Sequence, residues 1–121
     1  MVSAYVNRGL DYDALEEYES AIADYTTAIQ LAPTDPIPYL NRGADRAALG
    51  NYKAAIADQT EAIRLRPDYA DAYENRGQDR QALGDIKGAL ADYQQAAQQF
   101  EQQGNAAAAQ RATERAAAVK P

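Results

Sequence analysis

The triplet Asn-Arg-Gly occurs three times, at residues 7–9, 41–43 and 75–77, and one step of 34 residues carries each copy onto the next. Much else keeps that step. Tyr5, Tyr39 and Tyr73 align, as do Leu15, Leu49 and Leu83. So do Ala21, Ala55 and Ala89; Asp24, Asp58 and Asp92; and Ala28, Ala62 and Ala96. A fixed period of this size is the mark of a stacked repeat, in which no unit buries its apolar face alone and neighbours share one continuous core. Three units fit without gaps, at 2–35, 36–69 and 70–103.

Each unit reads as two helices. Gly50 and Gly84 stand where a left-handed residue closes a first helix, and Asn51 and Asp85 follow as caps of the second. In the first unit Glu16 holds the glycine's place, so a regular turn is less expected there. Second helices such as 52–65 carry a helical stripe of Ala55, Ile56, Ala62, Ile63 and Leu65, broken once by Gln59. Pro33 and Pro67 stop them, whereas the third unit has Glu101 in that column. Asp35 and Pro36 read as a cap and first-turn proline. Beyond the third unit, Gly104 and Asn105 end one helix and start another. Residues 105–119 form that helix, with Ala106, Ala109, Ala112, Ala116 and Val119 on one face and Arg111 and Arg115 mostly elsewhere. A terminal helix with a polar outer side covers the open end of a stack. The fold class expected is all-α.

Composition narrows the function. The 121 residues include no Cys and no His, so thiol chemistry, imidazole triads and Cys/His zinc sites are excluded. A formal net charge of −6 works against phosphate backbones and anionic membrane surfaces. No apolar run is long enough for a membrane span and no signal peptide is visible. The expectation is a soluble, cytoplasmic chain, cut from something longer because it enters a helix almost at once. No phosphate-cradling loop or G-x-S-x-G elbow is present, so neither an enzyme nor a cofactor is expected.

The aromatic, Gly, small-residue and Pro columns resemble the tetratricopeptide repeat family. Tyr5, Gly9, Tyr12, Ala21, Tyr25, Ala28 and Pro33 carry the resemblance in the first unit. Tyr39, Gly43, Ala55, Ala62 and Pro67 carry it in the second, and Tyr73, Gly77, Ala89, Tyr93 and Ala96 in the third. The resemblance implies a right-handed superhelical solenoid of antiparallel helix pairs, with Gly9, Gly43 and Gly77 letting the two helices of a unit approach. It also implies a protein–protein interaction module, with a peptide or helical segment held in a concave groove lined by first helices. The family's ligand-facing positions fall on Ser3, Val6, Leu10 and Asp13; on Ile37, Leu40, Ala44 and Ala47; and on Asp71, Glu74, Gln78 and Gln81. That groove is apolar at one end and acidic or polar at the other, which suits a partner with apolar anchors and basic residues. Chaperone-binding members hold a C-terminal carboxylate at positions that fall here on Val6, Leu10, Asn41, Asp71 and Asn75. Only Asn41 fits, so such tails are not the expected ligand. The alternative is a self-associating or spacer segment, forming homo-oligomers through the first helix.

Arginine before the repeat glycine is unusual for the family. Arg8, Arg42 and Arg76 are each followed three residues on by Asp11, Asp45 and Asp79, a spacing that shares a helix face. Each also has an aspartate in the next helix, at Asp24, Asp58 and Asp92. The expectation is a structural ion-pair ladder, each guanidinium bridging two carboxylates. The competing reading is a carboxylate column for a metal or a basic partner, and arginines neutralising the acids disfavour it.

Overall fold

The computed structural model describes residues 1–120. Seven helices follow one another: α1 Val2–Ala14, α2 Tyr18–Leu31, α3 Pro36–Ala48, α4 Tyr52–Leu65, α5 Ala70–Ala82, α6 Ile86–Gln102 and α7 Ala106–Ala118. No strand occurs among the described residues. Each helix packs chiefly on its chain neighbours, so the pairs α1/α2, α3/α4 and α5/α6 stack in sequence order and α7 covers α6.

Local chemistry sets the helix ends. Asp35 accepts from the Ile37 N–H at 3.0 Å, with Pro36 in the first turn. Asn51, Asp85 and Asn105 accept from the N–H three residues on, at 3.4, 3.0 and 3.1 Å. Each cap satisfies a donor that the first turn leaves orphaned. Gly50, Gly84 and Gly104 take φ of +82°, +82° and +77°, and Glu16 takes +57°. The first unit therefore keeps the turn in the left-handed region even without glycine, at a local cost of roughly 1–2 kcal/mol. α2 and α4 stop two residues before Pro33 and Pro67, whereas α6, with Glu101 in that column, runs on to Gln102.

The core is built from small residues. Ala21, Ala28, Ala55, Ala62, Ala89 and Ala96 are wholly buried, and Tyr25 and Tyr93 are the largest apolar side chains among them. An alanine seam lets helices close to short range. The repeat glycines complete it: a Cβ on Gly9 would stand 2.6 Å from Tyr25 Cε1, and one on Gly77 would stand 2.9 Å from Tyr93 Cδ1. At the C-terminal end Ala108, Ala109 and Ala112 pack on Ala70, Ala96 and Phe100. Ala108 rather than Ala106 faces inward, because α7 meets the stack rotated from the face its alanine spacing suggests.

Candidate functional site

The arginines before the glycines are not bridged to the aspartates three residues on. Arg8 binds Asp24 through Nε and Nη2 at 2.8 and 2.7 Å. Arg42 binds Asp58 at 3.0 and 2.8 Å, and Arg76 binds Asp92 at 2.9 and 2.8 Å. The planar fork matches a carboxylate on the facing helix, and a bidentate pair outdoes a single contact along one helix. The guanidiniums also lie over Tyr5, Tyr39 and Tyr73, 5.5–5.8 Å from the ring centres.

The ladder has a cross-repeat rung. Arg42 Nη1 donates to Thr26 Oγ1 at 3.2 Å, and Arg76 Nη1 donates to Thr60 Oγ1 at 3.3 Å, each reaching into the preceding pair. Arg46 and Arg80 add second cations to Asp58 and Asp92, at 3.0 and 2.9 Å. The first unit has Tyr12 in that column, so Asp24 relies on Arg8, whose guanidinium holds the carboxyl below its ordinary range.

Asp11, Asp45 and Asp79 make no ion pair among the described residues, which corrects their expected place in the ladder. Asp11 is exposed, whereas Asp45 and Asp79 are each only 4% exposed and keep an unpartnered Oδ2. Asp45 and Asp79 occupy the same place in successive units, one on α3 and one on α5. Burial pushes the Asp45 carboxyl up to about 8, with help from Asp13, and pushes Asp79 up to about 7. Among the described residues no group of three or more metal-ligating side chains could hold a metal ion.

The residues expected to line the groove differ in accessibility. Leu10, Ile37 and Ala44 are exposed, and Val6 and Leu40 are half-buried. Asp13 is half-buried and accepts from Tyr25 Oη at 2.6 Å. Asp71 and Gln78 are exposed. Glu74 is not: α7 closes over it. Arg111 donates to its two carboxylate oxygens at 3.0 and 2.8 Å, and Arg115 Nε lies 3.2 Å away. Arg111 and Arg115 therefore turn inward instead of forming the polar outer side, because buried Glu74 needs compensating charge. At the acidic end of the expected groove Glu74 is thus neutralised from within, whereas Asp71 stays exposed.

Sequence reasoning missed one further feature. A cleft of about 510 Å³ opens between α6 and α7, lined by Leu90, Gln94, Ala97, Thr113, Ala116 and Ala117 among others. The only signal for it was the number of alanines on α7, more than one packing face needs.

Residues 2–35 match the tetratricopeptide repeat, and residues 45–78 match the TPR repeat. A crystal structure of the Sgt2 TPR domain from Aspergillus fumigatus is 31% identical, with 95% of this chain and 76% of that one covered, at a TM-score of 0.85. This chain belongs to the tetratricopeptide repeat family. The TPR2B domain of yeast Sti1, solved as a complex with pHsp70, is 26% identical and superposes at a TM-score of 0.91 over 95% of this TPR chain and 92% of its own. The first TPR of Spaghetti (RPAP3), bound to the HSP90 peptide SRMEEVD, is 26% identical at a TM-score of 0.80, with 93% of each chain covered. No curated protein matches the TPR chain. No helix among the described residues is long and apolar enough to cross a membrane.

Proposed function

We propose that this TPR chain is a protein-interaction module that holds an extended or helical peptide segment along its first helices. Support comes from the likeness, at 26% identity over nearly the whole chain, to TPR domains solved with peptides from other proteins. The observation that carries the reading here is the presence of apolar side chains that reach solvent on the first helices: Leu10 exposed and Val6 half-buried on α1, Ile37 exposed and Leu40 half-buried on α3. Binding rather than catalysis fits a family of interaction folds.

The chemistry of the partner is sharpened by the charges. Val6, Leu10, Ile37 and Leu40 call for apolar anchors. Asp71 remains exposed for a basic or polar group, but Glu74 is occupied by Arg111 and Arg115, and the Gln78 amide faces the Arg115 guanidinium. The partner therefore carries apolar anchors with few basic residues. A displayed peptide library panned on the wild-type protein tests this. Enriched peptides should share spaced apolar residues and lose most of their affinity for Leu10→Asp, at an exposed position, and Leu40→Asp, at a half-buried one. Peptides that bind the two variants as tightly as wild type place the site elsewhere.

A further inference from the structure

The cleft between α6 and α7 shares no residue with the groove of the first helices, and the repeat pattern shows what kind of element it lacks. In each unit the first helix turns one face to its own second helix. On α1, Gly9 approaches Tyr25, and Asp13 accepts from the Tyr25 hydroxyl. On α3, Gly43 stands against Gln59, and Arg46 donates to Asp58. On α5, Gly77 stands against Tyr93, Arg80 donates to Asp92, and Gln81 accepts from Tyr93. α7 carries the same face, but no second helix follows it among the described residues. Aligned on their first residues, Ala70 and Ala106, α5 and α7 put Thr113, Ala116 and Ala117 in the places of Gly77, Arg80 and Gln81. Those three residues are the α7 wall of the cleft. The same alignment matches Ala108 with Ala72, both buried.

The neighbour that α7 lacks is therefore a helix running antiparallel to it. α6 supplies the other wall through Leu90, which is 36% exposed, with Gln94 and Ala97 beside it. Glu101 is the one charged residue lining the cleft. α6 and α7 are joined by the short turn Gln103–Asn105, so they run in opposite directions, and Glu101 lies beside the start of α7. An exposed cation, Lys120, lies just past the other end of α7. A second copy related by a two-fold axis presents its own α7 antiparallel to this one. Lys120 of the second copy then comes to the end of the cleft where Glu101 stands, and the reciprocal pair forms at the other end. A two-fold contact uses one patch twice. No α7 side chain in this patch is larger than threonine, so two such helices can approach closely between the two Leu90 side chains.

We propose that the α6–α7 cleft is a dimerisation surface: the α7 helices of two copies pack antiparallel about a two-fold axis, each taking the place of the second helix that the other lacks. α1 and α3 take no part, so the proposed peptide groove stays open in both copies.

The test is sedimentation velocity with light scattering on the wild-type chain over a wide range of concentrations. The mass should rise from one chain to two and no further, because a two-fold contact closes on itself. Ala117→Glu, at an exposed position, should raise the dimer dissociation constant more than about tenfold, since each copy would bury an unpaired carboxylate. Lys120→Glu should weaken the dimer by about two- to fivefold, the share of a rim ion pair. Adding Glu101→Lys to Lys120→Glu should restore it. Leu10→Asp on α1 should leave the dimer unchanged, and circular dichroism checks that each variant is folded. A wild-type chain that stays monomeric at the highest concentration overturns the proposal, whatever the variants do, and leaves the cleft to a helix of another protein. A dimer that survives Ala117→Glu, or that Leu10→Asp abolishes, overturns it by placing the contact elsewhere.

Discussion

Replacing Gly77 by alanine sets two known effects against each other, and the sign of the result tells which prevails. In an open helix the change stabilises by about 1 kcal/mol, the propensity difference between the residues. Here the new methyl would sit 2.9 Å from both Cδ1 and Cε1 of Tyr93 and 3.3 Å from Asp92 Cβ, against the 3.5–4.0 Å at which carbons prefer to stand. The ring cannot swing aside cheaply. Tyr93 is buried and its Oη donates to Gln81 Oε1 at 2.8 Å. Spreading α5 from α6 would stretch the bonds from Arg76 and Arg80 to Asp92. Overpacking of this kind costs about 1–3 kcal/mol, so the net loss is about 1 kcal/mol, or roughly 3–5 °C in melting temperature for a chain of this size. Gly77→Leu should lose more, since its further carbons enter the same gap. Urea and thermal melts followed by circular dichroism at 222 nm give both numbers. If Gly77→Ala raises stability, the close-approach account of the repeat glycine is wrong.

Four other outcomes are expected. Glu16→Gly should stabilise by about 0.5–1 kcal/mol in the same melts, because it relieves a left-handed residue costing roughly 1–2 kcal/mol and gives part of that back in unfolded-chain entropy. Arg8→Ala should lower the melting temperature more than Arg46→Ala, since Asp24 then loses its sole cation while Asp58 keeps both bonds from Arg42. Asp79 holds its proton to about pH 7 when folded but only to about 4 when unfolded. Its contribution to stability therefore falls as pH rises from 4 to 7, and Asp79→Asn should be more stable than wild type at pH 8, with little difference at pH 4. Asp24 works the other way: its lowered carboxyl contributes stability above about pH 4 that acid removes, so a melt series below pH 4 should lose stability in wild type and less in Asp24→Asn.

What could be read along the chain is what neighbours within a few residues decide. Caps at Asp35, Asn51, Asp85 and Asn105 bond N–H groups two or three positions away, so their residue types are enough to place helix starts. Gly50, Gly84 and Gly104 mark the turns for the same local reason, and Glu16 shows that the turn survives without glycine once the flanking helices are packed. The candidate site was less legible. Arg42 had aspartates in reach on its own helix and on the next, and charge alone does not choose between them. Packing chose Asp58, 16 residues away, because only the facing helix presents both oxygens to the guanidinium plane. Glu74 looked like an open groove acid, yet Arg111, 37 residues on, reaches it once α7 is docked.

The sequence by itself determined the period of 34 residues, the seven helices it implies and the small residues on which those helices close, because each follows from periodicity and from contacts within a turn or two. Tertiary structure alone decided which carboxylates are paired, which are buried without a cation and which acids remain open to a partner. Those outcomes depend on the distance and rotation between helices far apart in the chain, and a buried charge responds to whatever the packing brings against it.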